Sequence, residues 1–305
     1  MSVTGYRDGI AMWRAIGDRA RAASQATGRP TNELMRRLVY DRFLARVFAD
    51  PSAPWVLKGG TAVLARVNDA RHSKDVDLLR SLGTIDDALE ALRTAVAVDL
   101  ADHFRFVVGT VRPVGGGGQQ PDVAGYRVQI DAYCGTRRCE AFGVDLVTGS
   151  LMTTEPEVVR SSLPLEVPGL PAPTVRAYPV VDHIADKLAA TETVYADGAR
   201  SSRPRDLVDL IVFARTQPVD GRELHNAIIA ERLHRQLSAT ETFTVPPAWA
   251  TSYPPLAART PHCGGLHDLA AAVSLVAAFL EPAMTGAATG QRWDPTDQAW
   301  TPHAG

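Results

Sequence analysis

The 305-residue chain can build one large domain or two modest ones, and its 45% content of hydrophobic residues is enough for a sizeable core. The formal net charge of −2 excludes nucleic-acid binding driven by an overall positive charge, so any such binding needs a local basic patch. Three cysteines and no apolar leader predict a protein of the reducing cytoplasm, and the longest apolar stretch, 269–280, is too short to span a membrane.

Two basic helices are predicted at the start of the chain. Apolar residues spaced along one face predict the first over 6–28, and the second begins at Thr31 with Leu34 and Leu38 inside. The second helix is expected to turn four arginines outward, namely Arg36, Arg37, Arg42 and Arg46. They form either a solvated helix face or a surface for RNA phosphates.

A glycine turn follows between a short strand and a short helix. The apolar run 55–57 predicts the strand, Gly59 and Gly60 predict the turn, and 61–67 predicts the helix. The first turn of that helix directs backbone N–H groups and the Thr61 hydroxyl toward the glycines. This arrangement is suited to binding an anion such as a phosphate.

Two carboxylates, Asp75 and Asp77, lie on the next predicted strand. The side chains of a strand alternate between its faces, so both acids point the same way while Val76 and Leu78 face the core. Neighbouring carboxylates repel each other unless a cation lies between them, and two aspartates with a polyphosphate suit Mg²⁺. Each feature alone can be a plain turn or a solvated strand edge. Together, in this order, they predict a site for phosphoryl or nucleotidyl transfer.

A third carboxylate is expected from a hairpin predicted over 126–133 and 140–147. Asp145 is a single carboxylate in an apolar strand, a position where an acid has few structural uses. Beside the other two acids it would complete a cluster, and it could accept a proton from an attacking hydroxyl. Asp131, on the partner strand, is the alternative.

A proline-rich stretch, 153–179, marks the best candidate boundary between domains. We therefore predict a core with two leading helices over 1–175 and a helical C-terminal domain over 176–284. The remaining stretch, 285–305, lacks periodicity and is expected to be a disordered tail.

Charged residues occur on two predicted helices of the C-terminal domain. Lys187 lies on the first, and Asp206 and Asp209 share a face of the second. An acid among apolar helix positions needs a partner, and Lys187 is the natural one. The group is either a structural ion pair or a functional site, in which Lys187 meets a triphosphate and Asp209 orients it.

Four stretches of the sequence resemble the motifs of one family: Lys58-Gly-Gly-Thr61, Arg71 to Leu78, Ile184 to Leu188 and Arg205 to Leu210. In them the chain is similar to the AbiEii/AbiGii toxin family, which includes the MenT-type toxins and lies in the DNA polymerase β-like nucleotidyltransferase superfamily. Two pairs differ from residues that the family often has, since Asp186-Lys187 replaces Glu-Lys and Arg205-Asp206 replaces Lys-Asp.

The resemblance implies an α/β (α+β) fold with a mixed sheet flanked by helices and a mostly helical C-terminal portion. It favours Asp145 over Asp131, because the sequence around Asp145 is similar to the family's third-carboxylate strand. Together with the patterns above, it gives as catalytic residues Asp75, Asp77, Lys187 and Asp209; as nucleotide-binding residues Lys58, Gly59, Gly60, Thr61, Ser73 and Lys187; and as metal ligands Asp75, Asp77 and Asp145.

The resemblance also implies an activity. It predicts a toxin of a toxin–antitoxin system that uses Mg²⁺ or Mn²⁺ to move a nucleoside monophosphate from a pyrimidine NTP, CTP or UTP, to the 3′ end of tRNA. Translation would stop, and a cognate antitoxin would be the protein partner. Two alternatives stay open, namely a nucleotidyltransferase that modifies a protein hydroxyl or a small molecule, and a non-catalytic binding module on the same fold.

Overall fold

The computed structural model describes residues 5–67, 69–71, 73–115, 124–161, 165–194 and 198–303. The chain divides into two units. The first unit comprises 1–68, 72–150 and 157–177, and the second comprises 69–71, 151–156 and 178–305. The main division, after Ala177, falls two residues from the predicted one, whereas no sequence pattern indicates that two short earlier segments join the second unit.

Helices make up much of both units. Those of the first unit are α1 (Gly9–Thr27), α2 (Thr31–Val47), α3 (Gly59–Arg66) and α4 (Ile85–Val96). Those of the second unit are α5 (Val180–Glu192), α6 (Pro204–Thr216), α7 (Gly221–His234), α8 (Trp249–Ser252), α9 (Pro254–Ala257) and α10 (Leu269–Met284). Within the described ranges, no helix has the length and apolar character needed to cross a membrane.

The strands of the first unit form one mixed sheet. They are β1 (Trp55–Lys58), β2 (Val76–Arg80), β3 (Phe104–Gly115), β4 (Ala124–Cys134), β5 (Arg137–Val147), β6 (Glu157–Arg160) and β7 (Thr174–Ala177). Their order in the sheet is β3-β4-β5-β2-β1-β7-β6, with β2–β5 and β1–β7 parallel and the other pairs antiparallel. Helices α1 to α4 pack against this sheet. The predicted α/β fold with a mixed sheet flanked by helices is confirmed.

The arginines of α2 are not the solvent-facing group that the sequence predicted. Arg46 is 1% exposed, and its two terminal nitrogens donate to the Asp102 carboxylate at 3.1 and 2.6 Å. Arg37 and Arg42 are also buried, and they donate to backbone carbonyl oxygens. Helix α2 is therefore covered around most of its circumference. The burial of its guanidinium groups is possible because an acid and carbonyl groups on neighbouring segments accept their hydrogen bonds. These three arginines do not form a surface for RNA.

The predicted disordered tail is wrong for the described residues of 285–305. Two further strands, β9 (Gln291–Asp294) and β10 (Ala299–Pro302), form a hairpin that pairs with β8 (Val219–Asp220). Trp293 is 1% exposed, its indole N–H donates to the carbonyl oxygen of Ala214 at 2.6 Å, and its ring lies 4.8 Å from that of Phe279. A short hairpin lacks the periodicity of a helix, but two tryptophans packed on α10 hold it in place.

Candidate active site

Four charged residues occupy paired positions on four neighbouring strands of the first unit. Lys58 on β1 pairs with Asp77 on β2, Asp77 pairs with Asp145 on β5, and Asp145 pairs with Arg127 on β4. Paired residues on adjacent strands point to the same face of a sheet. Lys58, Asp77, Asp145 and Arg127 therefore line up across one face, and we refer to them as the charged row.

The charged row meets the glycine turn at Gly59. This residue has a φ of +59°, and a Cβ atom added to it would lie 1.9 Å from Oδ2 of Asp77. Glycine is required for both reasons, because side chains disfavour this backbone region and the Asp77 carboxylate fills the space. The turn is also the start of α3. The structure thus brings together the two features, glycine turn and paired acids, that the sequence predicted to act together.

Three hydroxyl groups fix the turn that carries Asp75. Thr61 and Ser73 both donate to the backbone carbonyl oxygen of Asp75, at 2.8 and 2.9 Å, and Tyr40 donates to that of Lys74 at 2.6 Å. Thr61 and Ser73 were predicted to bind nucleotide, but here both are buried and position the acid. Their contact with a nucleotide stays a prediction. Tyr40 was missed, although a tyrosine on the apolar face of α2 requires a hydrogen-bond partner.

Arg127 is the member of the charged row that the sequence did not reveal. Its guanidinium donates to Oδ1 of Asp75 at 2.5 Å and to Oδ2 of Asp145 at 2.6 Å, so it bridges two of the three predicted metal ligands. Burial opposes its charge, but hydrogen bonds and attraction from Asp145 and Asp75 outweigh burial and raise the pKa of Arg127. The available signal was Gly143, because a glycine inside a strand often marks the close approach of another group.

The structure places Asp145, and not Asp131, beside Asp77. Asp131 pairs with Ala141 along the hairpin, four residues from Arg127 on β4, and its carboxylate accepts a hydrogen bond from Arg138 at 2.6 Å. The geometry therefore agrees with the choice of Asp145 as the third carboxylate. Its role in catalysis or metal binding stays a prediction.

The acids of this site have the right donors for a divalent cation. Over the residues that the structure describes, no three His, Cys, Asp or Glu side chains are arranged to hold a metal ion. The guanidinium of Arg127 donates to both Asp75 and Asp145 and lies between them. The carboxylate oxygens suit a hard cation such as Mg²⁺, and two of these carboxylates already bind a positive group. The carboxylates therefore have the chemistry that a divalent metal requires, and Arg127 occupies the position between Asp75 and Asp145.

In the second unit, the predicted ion pair is part of a larger group. The ammonium of Lys187 lies 2.7 Å from Asp206 and 2.9 Å from Asp209, and the Asp209 carboxylate accepts two hydrogen bonds from Arg71 at 2.7 and 2.8 Å. Arg203 lies 2.9 Å from Asp206. We refer to Arg71, Lys187, Arg203, Asp206 and Asp209 as the buried ion network, since both acids and Lys187 are almost inaccessible to solvent.

The charges of this network stabilise one another. Burial opposes the ionisation of Asp209, but Lys187 and Arg71 outweigh it and lower the pKa of that carboxyl to about 2. Burial likewise opposes the charge on Lys187, and Asp209 and Asp206 outweigh it, so the pKa of Lys187 is raised. The predicted contact between Lys187 and Asp209 is confirmed. Contact of Lys187 with a triphosphate stays a prediction, because two carboxylates hold its ammonium here.

In the sequence Arg71 is only one position of a motif, and the structure adds its place in the buried ion network. The segment 69–71 belongs to the second unit, whereas the stretch that follows it, 72–150, belongs to the first. Arg71 lies only four residues before Asp75 in the sequence, and its guanidinium is bound by the Asp209 carboxylate. No sequence signal identified this pairing, because the two residues are far apart in the chain.

Comparison with known protein families gives one match. The family model described as "Nucleotidyl transferase AbiEii toxin, Type IV TA system" matches residues 42–272, which cover both the charged row and the buried ion network. The comparison with curated proteins found no similar protein.

The solved structures that are similar to this chain include MenT4 and JHP933. MenT4, a nucleotidyltransferase toxin from Mycobacterium tuberculosis, is 19% identical, with 88% of this chain and 98% of that chain covered and a TM-score of 0.47. JHP933 from Helicobacter pylori is 17% identical, with 81% of this chain and 92% of that chain covered and a TM-score of 0.40.

Proposed function

Because the chain belongs to the AbiEii family of nucleotidyltransferase toxins, we propose that it moves a nucleoside monophosphate from CTP or UTP to the 3′ end of tRNA and so blocks translation. The observation that carries the proposal is the charged row, in which Asp77 and Asp145 lie side by side against the glycine turn. Clustered acids beside a helix start suit a polyphosphate held through a divalent cation.

Asp75, Asp77 and Asp145 would hold Mg²⁺ or Mn²⁺, which when bound neutralises charge on the phosphate oxygens. Lys58 and the first turn of α3 offer a positive group and backbone N–H donors to the same polyphosphate. An oxygen of the acceptor hydroxyl attacks the α-phosphorus, and the bond from that phosphorus to the bridging oxygen breaks. Pyrophosphate leaves, and Asp145 accepts the proton of the hydroxyl.

For the buried ion network we propose a supporting role in the same reaction. Lys187 would stabilise negative charge on the triphosphate during the attack, with Asp209 orienting it. This contact requires the ammonium of Lys187 to release one of its two carboxylate partners. Asp209 would retain Arg71 throughout, since a bidentate pair of this kind is strong and buried.

A cognate antitoxin is the protein partner that we propose, because the family description places its members in toxin–antitoxin systems. The cytoplasm is the compartment in which a toxin directed at tRNA would act.

The experiment incubates the purified protein and Mg²⁺ with each α-³²P-labelled NTP in turn, in the presence of tRNA or of a total protein extract. We expect label at the 3′ end of tRNA with CTP or UTP, and none with Asp77→Asn at equal folding by circular dichroism. Label in protein would favour the first alternative, transfer to a protein hydroxyl. Absence of label from every NTP and acceptor would contradict the proposal and favour a binding module.

A further inference from the structure

Arg127 lies between Asp145 of the charged row and Asp75, a position that we call its seat. Its guanidinium bonds one carboxylate on each side, at 2.5 Å to Asp75 and 2.6 Å to Asp145. The three side chains are exposed by between 34% and 37%, so solvent and solutes reach them. An ion pair at this level of exposure exchanges readily for another partner.

Gly143 makes this seat possible. A Cβ atom added to Gly143 would lie 2.4 to 2.5 Å from the nitrogen and carbon atoms of the Arg127 guanidinium. Gly143 lies on β5 two residues before Asp145, and the guanidinium reaches across it toward Asp75. An alanine here would collide with the end of a flexible side chain, so the arginine would have to leave the seat while its charge remained.

We propose that Arg127 is a resident cation that competes with a divalent metal for Asp75 and Asp145, and that metal enters this site only when the guanidinium leaves its seat over Gly143. The role presupposes the proposed function, since it concerns the metal of the same site. It makes Arg127 a residue that sets metal affinity and keeps the acids neutralised until a metal arrives.

The physical reason is competition for the same oxygens. A small cation such as Mg²⁺ or Mn²⁺ requires carboxylate oxygens at about 2.0–2.1 Å from one point. The planar guanidinium instead spans the two carboxylates with separate nitrogen atoms and keeps them apart. If the seated form accounts for about 90–99% of the metal-free protein, apparent metal affinity falls about 10- to 100-fold.

Isothermal titration of the metal-free full chain with Mn²⁺ tests this proposal. We expect Arg127→Gln to bind Mn²⁺ about 10- to 100-fold more tightly than the unmodified protein, by the same competition. Gly143→Ala keeps the arginine and fills the space that its guanidinium occupies, so this variant should also bind Mn²⁺ more tightly. In both variants Mn²⁺ should raise the unfolding temperature more than it does in the unmodified protein, since tighter binding stabilises more.

Two matched controls are available on the same sheet. Arg138→Gln removes the arginine that bonds Asp131 on the same pair of strands. Gly109→Ala adds a methyl group on β3 that would lie at an ordinary 3.5 to 3.6 Å from Gln129. Both controls should bind Mn²⁺ as the unmodified protein does. Tighter binding by Arg138→Gln instead would move the metal to Asp131 and overturn the proposal.

The outcomes separate the two proposals. Equal or weaker Mn²⁺ binding by Arg127→Gln, with clear binding by the unmodified protein and none by Asp77→Asn, overturns the role of Arg127 and leaves the metal site in place. No Mn²⁺ binding by any variant overturns both the role of Arg127 and the metal-dependent function. Should Arg127→Gln fail to fold, Gly143→Ala provides the same comparison with the arginine charge retained.

Discussion

The two units each contain acids bridged by cations, and the two clusters differ in their access to solvent. In the charged row, the side chains of Arg127 and Asp145 are 37% and 34% exposed, and that of Asp75, which Arg127 also bonds, is 37% exposed. In the buried ion network, those of Lys187 and Asp209 are 4% and 0% exposed. Similar chemistry therefore has different consequences in the two clusters, since an exposed ion pair can exchange its cation for a ligand at a lower free-energy cost than a buried one.

This difference in burial also explains why two interpretations of Lys187 were possible from the sequence. A lysine and an acid at matching positions on two helices look the same whether they bind a phosphate or only each other. The two interpretations differ in the burial that they require, and burial depends on how the helices pack. The structure favours a network that holds the second unit together, to which a role in catalysis would be added.

The largest effect is expected from breaking the buried ion network. Replacing Asp209 with alanine leaves Lys187 and Arg71 without their shared carboxylate in a nearly dry interior. Removing one partner of a buried ion pair costs about 3–5 kcal/mol, so the free energy of unfolding should fall by that amount. Urea denaturation measures it.

Asp131→Ala is the control for this prediction. Asp131 also binds an arginine, Arg138, but the side chain of that arginine is 57% exposed. Exposed pairs contribute about 0–1 kcal/mol, so the control should lose little stability. Equal losses in the two variants would mean that burial does not distinguish the clusters.

A smaller effect concerns a buried acid without a bidentate partner. Asp41 in the first unit accepts a hydrogen bond from Ser161 at 2.9 Å, and burial raises the pKa of its carboxyl from 3.8 to about 6. An acid whose pKa is raised by folding stabilises the protein below pH 3.8, and this stability is lost as the pH rises through 6. The free energy of unfolding should therefore lose about 2–3 kcal/mol from this group between pH 4 and pH 7.

Asp41→Asn isolates this contribution, because asparagine stays neutral over the whole range. As the pH rises from 4 to 7, the unfolding free energy of the unmodified protein should fall relative to that of Asp41→Asn. A difference that is constant with pH would show that Asp41 has the same pKa in the folded and unfolded protein, in contrast to Asp209, whose pKa is lowered.

The smallest expected effect concerns the turn next to the charged row. Tyr40→Phe removes the hydroxyl that donates to the Lys74 carbonyl oxygen at 2.6 Å, beside Asp75. The loss of one such hydrogen bond costs about 1 kcal/mol. Because this bond fixes the turn before the acids, we also expect weaker Mn²⁺ binding, measured by titration.

Tyr253→Phe in the second unit is a close match. Its hydroxyl donates to the Leu266 carbonyl oxygen, also at 2.6 Å. It should lose a similar amount of stability, measured by thermal unfolding, and leave Mn²⁺ binding unchanged. If both variants bind Mn²⁺ equally, Tyr40 serves the fold alone.

Much of the fold and the acids of the site could be predicted, because their signals are local. Alternation predicted that Asp75 and Asp77 face the same way, and the glycine pair marked the turn that Asp77 meets. The position of Asp145 beside Asp77 followed from the predicted hairpin together with family resemblance. Each of these depends on residues close together in the sequence, or on one motif.

The features that were missed depend on contacts between distant segments. Arg127 lies 52 residues from Asp75, and Arg71 lies 138 residues from Asp209. No periodicity relates such partners. The arginines of α2 look like a solvated face until Asp102 is brought against them, and the hairpin formed by β9 and β10 is held by tryptophans whose contacts are with α10.

The most direct test of the central claim, that the charged row is the site of nucleotidyl transfer, compares Asp145→Asn with Asp131→Asn in the labelled-NTP experiment. Both changes replace one strand carboxylate by its amide on the same hairpin, and only Asp145 lies in the row. We expect transfer by Asp145→Asn to fall about 10³-fold, equivalent to about 4 kcal/mol, and transfer by Asp131→Asn to stay within a few-fold of the unmodified protein. Normal transfer by Asp145→Asn, or its loss in Asp131→Asn alone, would contradict the claim.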